Sequence, residues 1–268
     1  MINSSKIEKS FLHNRCKDMN PAANMATAVR SPLTASGEWS TLQMLTPRID
    51  PYTHFSLFSS AISNSTKNRY PDVLALEETR VPVDDHEGYI NANFVSYRES
   101  DKIIVTQEPI SETYQDFWKM VNTQNVRYII CLNDSAAYWT DHLSAETTES
   151  SIMTEIISLG TSITCRELDV GEEKIIHISF RGWPDNKVPV GDSVRDLVNL
   201  SRWAATVEDQ IVVHCSAGIG RTGTFLAMIF KQLYPTISVI EIVNDMRRQR
   251  PGMVQTLTQY RFLKGLFV

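Results

Sequence analysis

No apolar run in the sequence approaches the ~18 residues that a membrane-spanning helix needs. The start, MINSSKIEKSFLHNRCKD, contains no apolar stretch of the kind that directs general export. These absences predict a cytoplasmic chain without a membrane span; a specialised route, such as delivery into a host cytosol by a pathogen, would leave no mark of this sort. Cysteine is scarce, with Cys16, Cys131, Cys165 and Cys215 only, and no C-x-x-C spacing. That excludes a disulfide framework and a zinc ribbon; three of the four lie in or beside apolar runs, as reduced thiols do. A basic excess is also missing: 26 Lys and Arg against 31 Asp and Glu give a net charge of −5. General nucleic-acid binding is therefore excluded, and an anionic substrate would have to be attracted locally. There is no internal repeat, and apart from His214 the histidines have no triad-like or metal-like context. The pattern sets no oligomeric state.

What the chain does have is 268 residues of which 42% are hydrophobic, enough for a sizeable core. Residues 1–50 read as an accessory segment, with a flexible arm to about residue 35 and a short helix over Trp39–Leu45. Residues 51–268 read as one domain, because no linker-like break interrupts them. Pro51, followed by Tyr52, Phe55 and Phe58, predicts a helix start. Strands are predicted over Thr79–Val83, Tyr89–Tyr97, Lys102–Thr106 and Val126–Leu132, with a helix opening at Ser111. After a polar loop over Asn133–Ser151, runs at Ile152–Leu159, Ile163–Leu168 and Lys174–Phe180 predict an antiparallel meander. A helix over Ser193–Ala205, a buried strand into Cys215 and three closing helices follow, with Ser238 and Glu241 as a capping box. Strands first and helices after give an α+β fold around one mixed sheet.

The chemistry concentrates in Ile211–Gly223, IVVHCSAGIGRTG. A β-favouring run ends at His214 and Cys215, a glycine-bearing turn follows, and Arg221 opens an apolar helix. Gly218 and Gly220 let the backbone N–H groups of Ser216, Ala217, Gly218, Ile219 and Gly220 converge into an anion nest. Arg221 offers a planar fork that matches two phosphate oxygens. The nest, the helix start and the guanidinium together favour a thiolate at Cys215, the form that attacks. Thr222 places a hydroxyl where it can reach the cysteine sulfur.

HCSAGIGRTG resembles the signature Cys-x5-Arg loop of the phosphotyrosine-specific protein tyrosine phosphatases. KNRYPDV, GYINANFV, TQEP with DFWKMV, WPD and MRRQRPGMVQTLTQY are similar to further blocks of that family, in the family's order, across roughly residues 50–268. The resemblance implies a highly twisted mixed sheet flanked by helices, a cysteinyl-phosphate intermediate, phosphotyrosine proteins or peptides as partners, and neither metal nor cofactor. It also implies roles: Asp185 as general acid and then base, on a loop hinged near Trp183; Tyr70 as the wall that deepens the pocket; Asp72 as a holder of substrate backbone. Gln255 positions the attacking water, Gln259 assists, and His214 tunes the loop by hydrogen bonding. A positive rim is expected from Lys67, Arg69, Arg247, Arg248 and Arg250, some of them structural ion-pair partners and Arg250 the most internal. The chain departs from the family at Lys187 and Glu108, where glycines are usual, and after Leu132, where an acidic-then-basic block that steadies Arg221 is missing. Two other readings stay open: a catalytically weak phosphotyrosine-binding module, and a phosphatase acting on a non-protein phosphoester.

Overall fold

A computed structural model describes residues 34–46, 53–83, 88–98, 102–133, 138–143 and 150–267. The expected flexible arm, Cys16, the helix start at Pro51 and much of the polar segment after Asn133 lie outside the described residues. Ala35–Val268 forms one compact unit. In chain order its longer elements are α1 (Ala35–Leu45), α2 (Ser59–Ser63), β1 (Ala92–Val95), β2 (Ile103–Gln107), α3 (Tyr114–Thr123) and β3 (Val126–Cys131). They continue with α4 (Ser151–Ser158), β4 (Ile163–Val170), β5 (Glu173–Phe180), α5 (Asp192–Ala204), β6 (Gln210–Cys215), α6 (Gly220–Leu233), α7 (Val239–Gln249) and α8 (Leu257–Leu266).

The strands form one mixed sheet in the order β1-β2-β6-β3-β5-β4. The inner strands β2, β6, β3 and β5 run parallel, and antiparallel β1 and β4 close the edges. Parallel strands need cover on both faces, and the alternation along β6 supplies it. Ile211, Val213 and Cys215 face the larger core, packed with residues of α5 to α8. Val212 faces a second core with Ile104, Ile129 and the Phe117–Val121 face of α3. Helix α6 is buried without a break from Gly220 to Phe230, its polar Arg221, Thr222 and Thr224 included. It leaves the end of β6 straight into the middle of the molecule, so its first turn is held on every side.

Four expectations change. Ile152–Leu159 is helix α4, not a strand: Ser150 Oγ caps it by accepting from Met153 N at 3.4 Å, and Met153 and Ile156 are buried three apart. The meander is therefore the single hairpin β4–β5. Thr79–Val83 is not a strand either. Val81 N donates to Ala92 O, but Pro82 has no N–H with which to extend the ladder. The capping box at Ser238 is half formed, because the Glu241 carboxylate instead accepts from Tyr97 Oη at 3.0 Å. Finally, α1 belongs to the compact unit rather than to an accessory segment. Leu42 is fully buried, Tyr260 Oη donates to Glu38 at 2.7 Å, and Arg247 lies over the Trp39 ring.

Candidate active site

The site lies where the parallel strands end. Registers place Gln107 of β2 beside Cys215 of β6, and Cys131 of β3 beside His214. Topology thus brings the nucleophile, the flanking loop and the turn after β5 together at the carboxyl edge, where open parallel sheets bind ligands.

The loop after Cys215 is shaped by where its carbonyls go. Ser216 O accepts from Glu108 N at 3.0 Å. Ala217 O and Gly218 O accept from Arg250 at 3.1 and 3.0 Å. Ile219 O accepts from Gly223 N and Val254 N. Four successive carbonyls are thereby tied outward, and the amides of Ser216, Ala217, Gly218 and Ile219 make no hydrogen bond among the described residues. Buried amides need partners, so this ring of donors is built for an anion. Gly218 makes the turn possible: its φ is +70°, and a Cβ there would sit 2.1 Å from Thr106 O.

Arg250 is fully buried and completes its shell with Asn93 Oδ1 at 2.7 Å and Asn91 Oδ1 at 2.9 Å. Burial lowers it to about 10, where it still carries its charge at neutral pH. Asn91 Nδ2 continues to Asn68 Oδ1 and Val73 O, and Gln107 bonds Arg69 N and Lys67 O. These bonds anchor Lys67–Val73 beside the nucleophile and leave Tyr70 and Asp72 exposed. Sequence reasoning missed the parts played by Gln107, Asn91 and Asn93. Their signal was present, as polar residues inside the apolar runs GYINANFV and IIVTQ.

Arg221 is almost fully buried. Its Nη1 donates to Trp183 O at 3.0 Å, and its Nη2 to Ser216 Oγ at 2.9 Å and Asp185 Oδ1 at 3.1 Å. Asp185 is otherwise open to solvent, with a side chain 64% exposed. Trp183 is buried and donates from Nε1 to Lys187 O at 2.8 Å, which closes the acid turn. The glycine expected in this loop is replaced by a division of labour: Asn186 takes the left-handed conformation, φ 56°, and Lys187 is exposed. Asparagine tolerates that region better than most side chains.

Gln259 is buried; its Oε1 caps α8 by accepting from Gln255 N and Thr256 N at 3.0 and 3.2 Å. A Cβ on Gly220 would lie 2.8 Å from Gln255 Oε1 and 3.2 Å from Gln259 Nε2. Both glutamines therefore abut the start of α6. Among the described residues, six buried side-chain N or O atoms lack a partner. Four of them gather here: His214 Nδ1, Arg221 Nε, Thr222 Oγ1 and Gln259 Nε2.

Of the expected positive rim, some members are structural ion-pair partners and Arg250 is internal, as expected, but Arg247 is buried as well. Arg247 is buried, donating to Met253 O and Val254 O, and Arg250 is internal. Lys67 pairs with Asp116 at 2.8 Å and Arg69 with Glu108 at 3.5 Å, whereas Arg248 is exposed. Glu108, in the place of a glycine, is nearly buried and accepts from Asn133 Nδ2 at 3.2 Å. Of the other thiols, burial pushes Cys165 up to about 12, and Cys131 donates to Asn133 O. Cys131, His177 and His214 bring ligand atoms within 4.8 Å of one another, but both imidazole Nε2 atoms already bond Tyr138 Oη. His214 is buried, and burial lowers it to about 3, so its ring is neutral.

A family model described as Protein-tyrosine phosphatase matches residues 64–268. Tyrosine-protein phosphatase non-receptor type 20 of Mus musculus is 32% identical over 228 residues, which are 76% of this chain and 53% of that protein. Protein-tyrosine-phosphatase PTP1 of Arabidopsis thaliana is 34% identical, with 76% of this chain and 70% of the relative covered. The solved structure of PTPN18 in complex with HER2-pY1196 phosphopeptides superposes with a TM-score of 0.70 at 26% identity, covering 96% of each chain. The chain spans 53%, 13% and 51% of the length of the first three curated relatives it matches.

Proposed function

The chain belongs to the protein-tyrosine phosphatase family, and we propose that it hydrolyses phosphotyrosine in proteins through a cysteinyl-phosphate intermediate. The observation that carries this reading is the loop with four carbonyls bound outward and four amides free, directly after Cys215 and capped by Arg221. A phosphate dianion seated there meets amide donors and a planar guanidinium whose Nε is unbonded among the described residues.

The steps follow from that seat. Cys215 Sγ attacks phosphorus, forming S–P as the P–O bond to the tyrosyl oxygen breaks. The developing charge is shared by the loop amides and Arg221, which are fixed before reaction and so cost no reorganisation. Asp185 gives its proton to the departing phenolate oxygen. It then takes a proton from a water that Gln255 orients, with Gln259 behind it; the water oxygen bonds phosphorus as the S–P bond breaks, releasing phosphate and the Cys215 thiolate. Thr222 Oγ1, buried without a partner among the described residues, is available to the sulfur as it leaves.

Tyr70, exposed on an anchored segment, and Asp72 beside it supply the pocket wall and the hold on substrate backbone. The phosphotyrosine peptides bound by PTPN18 support the same substrate class here. No described helix is long and apolar enough to cross a membrane, and we place the activity in the cytoplasm.

Metal-free hydrolysis of a phosphotyrosine peptide tests the reading. Cys215→Ser should abolish turnover while leaving peptide binding, and Asp185→Ala should lower kcat by about 10²–10⁴-fold. Tight binding with no turnover in the intact protein would instead identify a binding module. Equal rates on phosphoserine or a phosphoinositide would overturn the specificity.

A further inference from the structure

Behind the loop lies a row of polar side chains that the reaction does not touch. Arg166 of β4 donates from Nη1 to His177 Nδ1 at 2.8 Å and to Ser179 Oγ at 2.9 Å. Its guanidinium lies 3.9 Å from the centre of the Trp139 ring, which fixes the donor plane. Tyr138 Oη then stands 2.9 Å from His177 Nε2 and 2.7 Å from His214 Nε2, and all three of these residues are buried.

The proton positions along this row follow from Arg166. A guanidinium only donates, so His177 Nδ1 must present its lone pair; a proton there would set two donors face to face. Burial, with the charge of Arg166 behind it, keeps His177 neutral, so its one proton sits on Nε2 and is donated to Tyr138 Oη. Burial also keeps the phenol protonated. Its hydrogen points to His214 Nε2, the acceptor it has among the described residues. His214, neutral, must then carry its single proton on Nδ1, the buried nitrogen that makes no hydrogen bond among the described residues.

We propose that Arg166 is a positioning residue for the nucleophile: acting through His177 and Tyr138, it fixes His214 as the Nδ1–H tautomer beside Cys215. The reverse tautomer would set a second N–H against Tyr138 Oη, strip the phenol hydrogen of its acceptor and loosen the end of β6, from which the sulfur projects. The fixed tautomer also leaves compensation of an anionic sulfur to the loop amides and Arg221. The catalytic consequence rests on the phosphatase reading; the proton assignment does not.

Two-bond 1H–15N correlations of the imidazole rings, assigned with single His→Gln variants, read the tautomers directly and need no turnover. In the intact protein His177 should be protonated at Nε2 and His214 at Nδ1. Arg166→Met should shift both rings toward mixed tautomers and slow iodoacetamide alkylation of Cys215 severalfold, and Arg166→Lys, which restores an N–H donor, should recover both. A proton on His214 Nε2 in the intact protein, or unchanged imidazole signals in a folded Met variant, overturns the proposal. If Arg166→Met does not fold, Tyr138→Phe removes the middle oxygen and must release His214 in the same way. Failure to hydrolyse phosphotyrosine would be a separate result, since the imidazole signals do not depend on it.

Discussion

At the scale of single residues, the site is organised by the partners of backbone carbonyls as much as by side chains that face the substrate. Arg250 reaches no substrate, yet its two bonds to Ala217 O and Gly218 O decide which way the adjoining peptides face. Gly218 is the residue least open to exchange. Its φ of +70° costs an L side chain about 1–2 kcal/mol, and the Cβ would meet the backbone of β2 at 2.1 Å. Backbone cannot swing aside as a flexible side chain can. Gly218→Ala should therefore weaken inhibition by orthovanadate, which seats in the amide ring, by about tenfold or more. An unchanged inhibition constant in the folded variant would show that the outward-tied carbonyls do not hold the anion.

At the scale of elements, the acid turn and the helix it faces behave as a pair. Arg221 bonds the turn at two points, Trp183 O and Asp185 Oδ1, while Trp183 Nε1 closes the turn on Lys187 O. The acid is thus tethered to the same guanidinium that faces the phosphate. The left-handed residue is Asn186, φ 56°. Asn186→Ala should disfavour this geometry by about 1 kcal/mol, roughly a fivefold loss of population. Single-turnover kinetics at saturating peptide would show it as a slower first step with peptide affinity retained, and Asn186→Gly should restore the rate. An alanine variant as fast as the parent would mean that the turn works in another conformation. Helix α4 shows the opposite limit of local reading. Ile152, Met153, Ile156 and Ile157 fit a strand run as well as a helix, and only the Ser150 cap and the burial of Met153 and Ile156 select the helix.

At the scale of the whole molecule, two neutral imidazoles locked in the interior make acid stability a property of the fold. His214 is lowered to about 3, and His177 is held well below its ordinary range, both chiefly by burial. An unfolded histidine titrates near ~6.5, so between that pH and the folded value the unfolded state binds more protons. Stability is then complete above about pH 6.5 and falls with acidification, by about 1.4 kcal/mol per pH unit for each ring. Between pH 6.5 and 5 His214 alone should cost about 1.7 kcal/mol, with His177 acting in the same direction, visible as a lower urea midpoint. A midpoint that stays level would mean that one ring accepts a proton without unfolding. Sequence by itself pointed to a nucleophile at Cys215, its Cys-x5-Arg spacing and the buried strand, because each is local: the chemistry needs neighbours along the chain, whereas the part of Asp185 came from the resemblance. It also determined the apolar faces of α3, α6 and α7, whose period of 3.6 is read within one helix. Only the tertiary structure decided that Arg247 turns inward and which carboxylates Lys67 and Arg69 pair with. It alone decided that Gln107 and Asn91 brace the pocket wall, that α1 is part of the compact unit, and that Tyr138 bridges two histidines. Those outcomes depend on partners dozens to hundreds of residues away, and the physical reason is burial: a polar group removed from water takes whichever partner the packed fold brings to it.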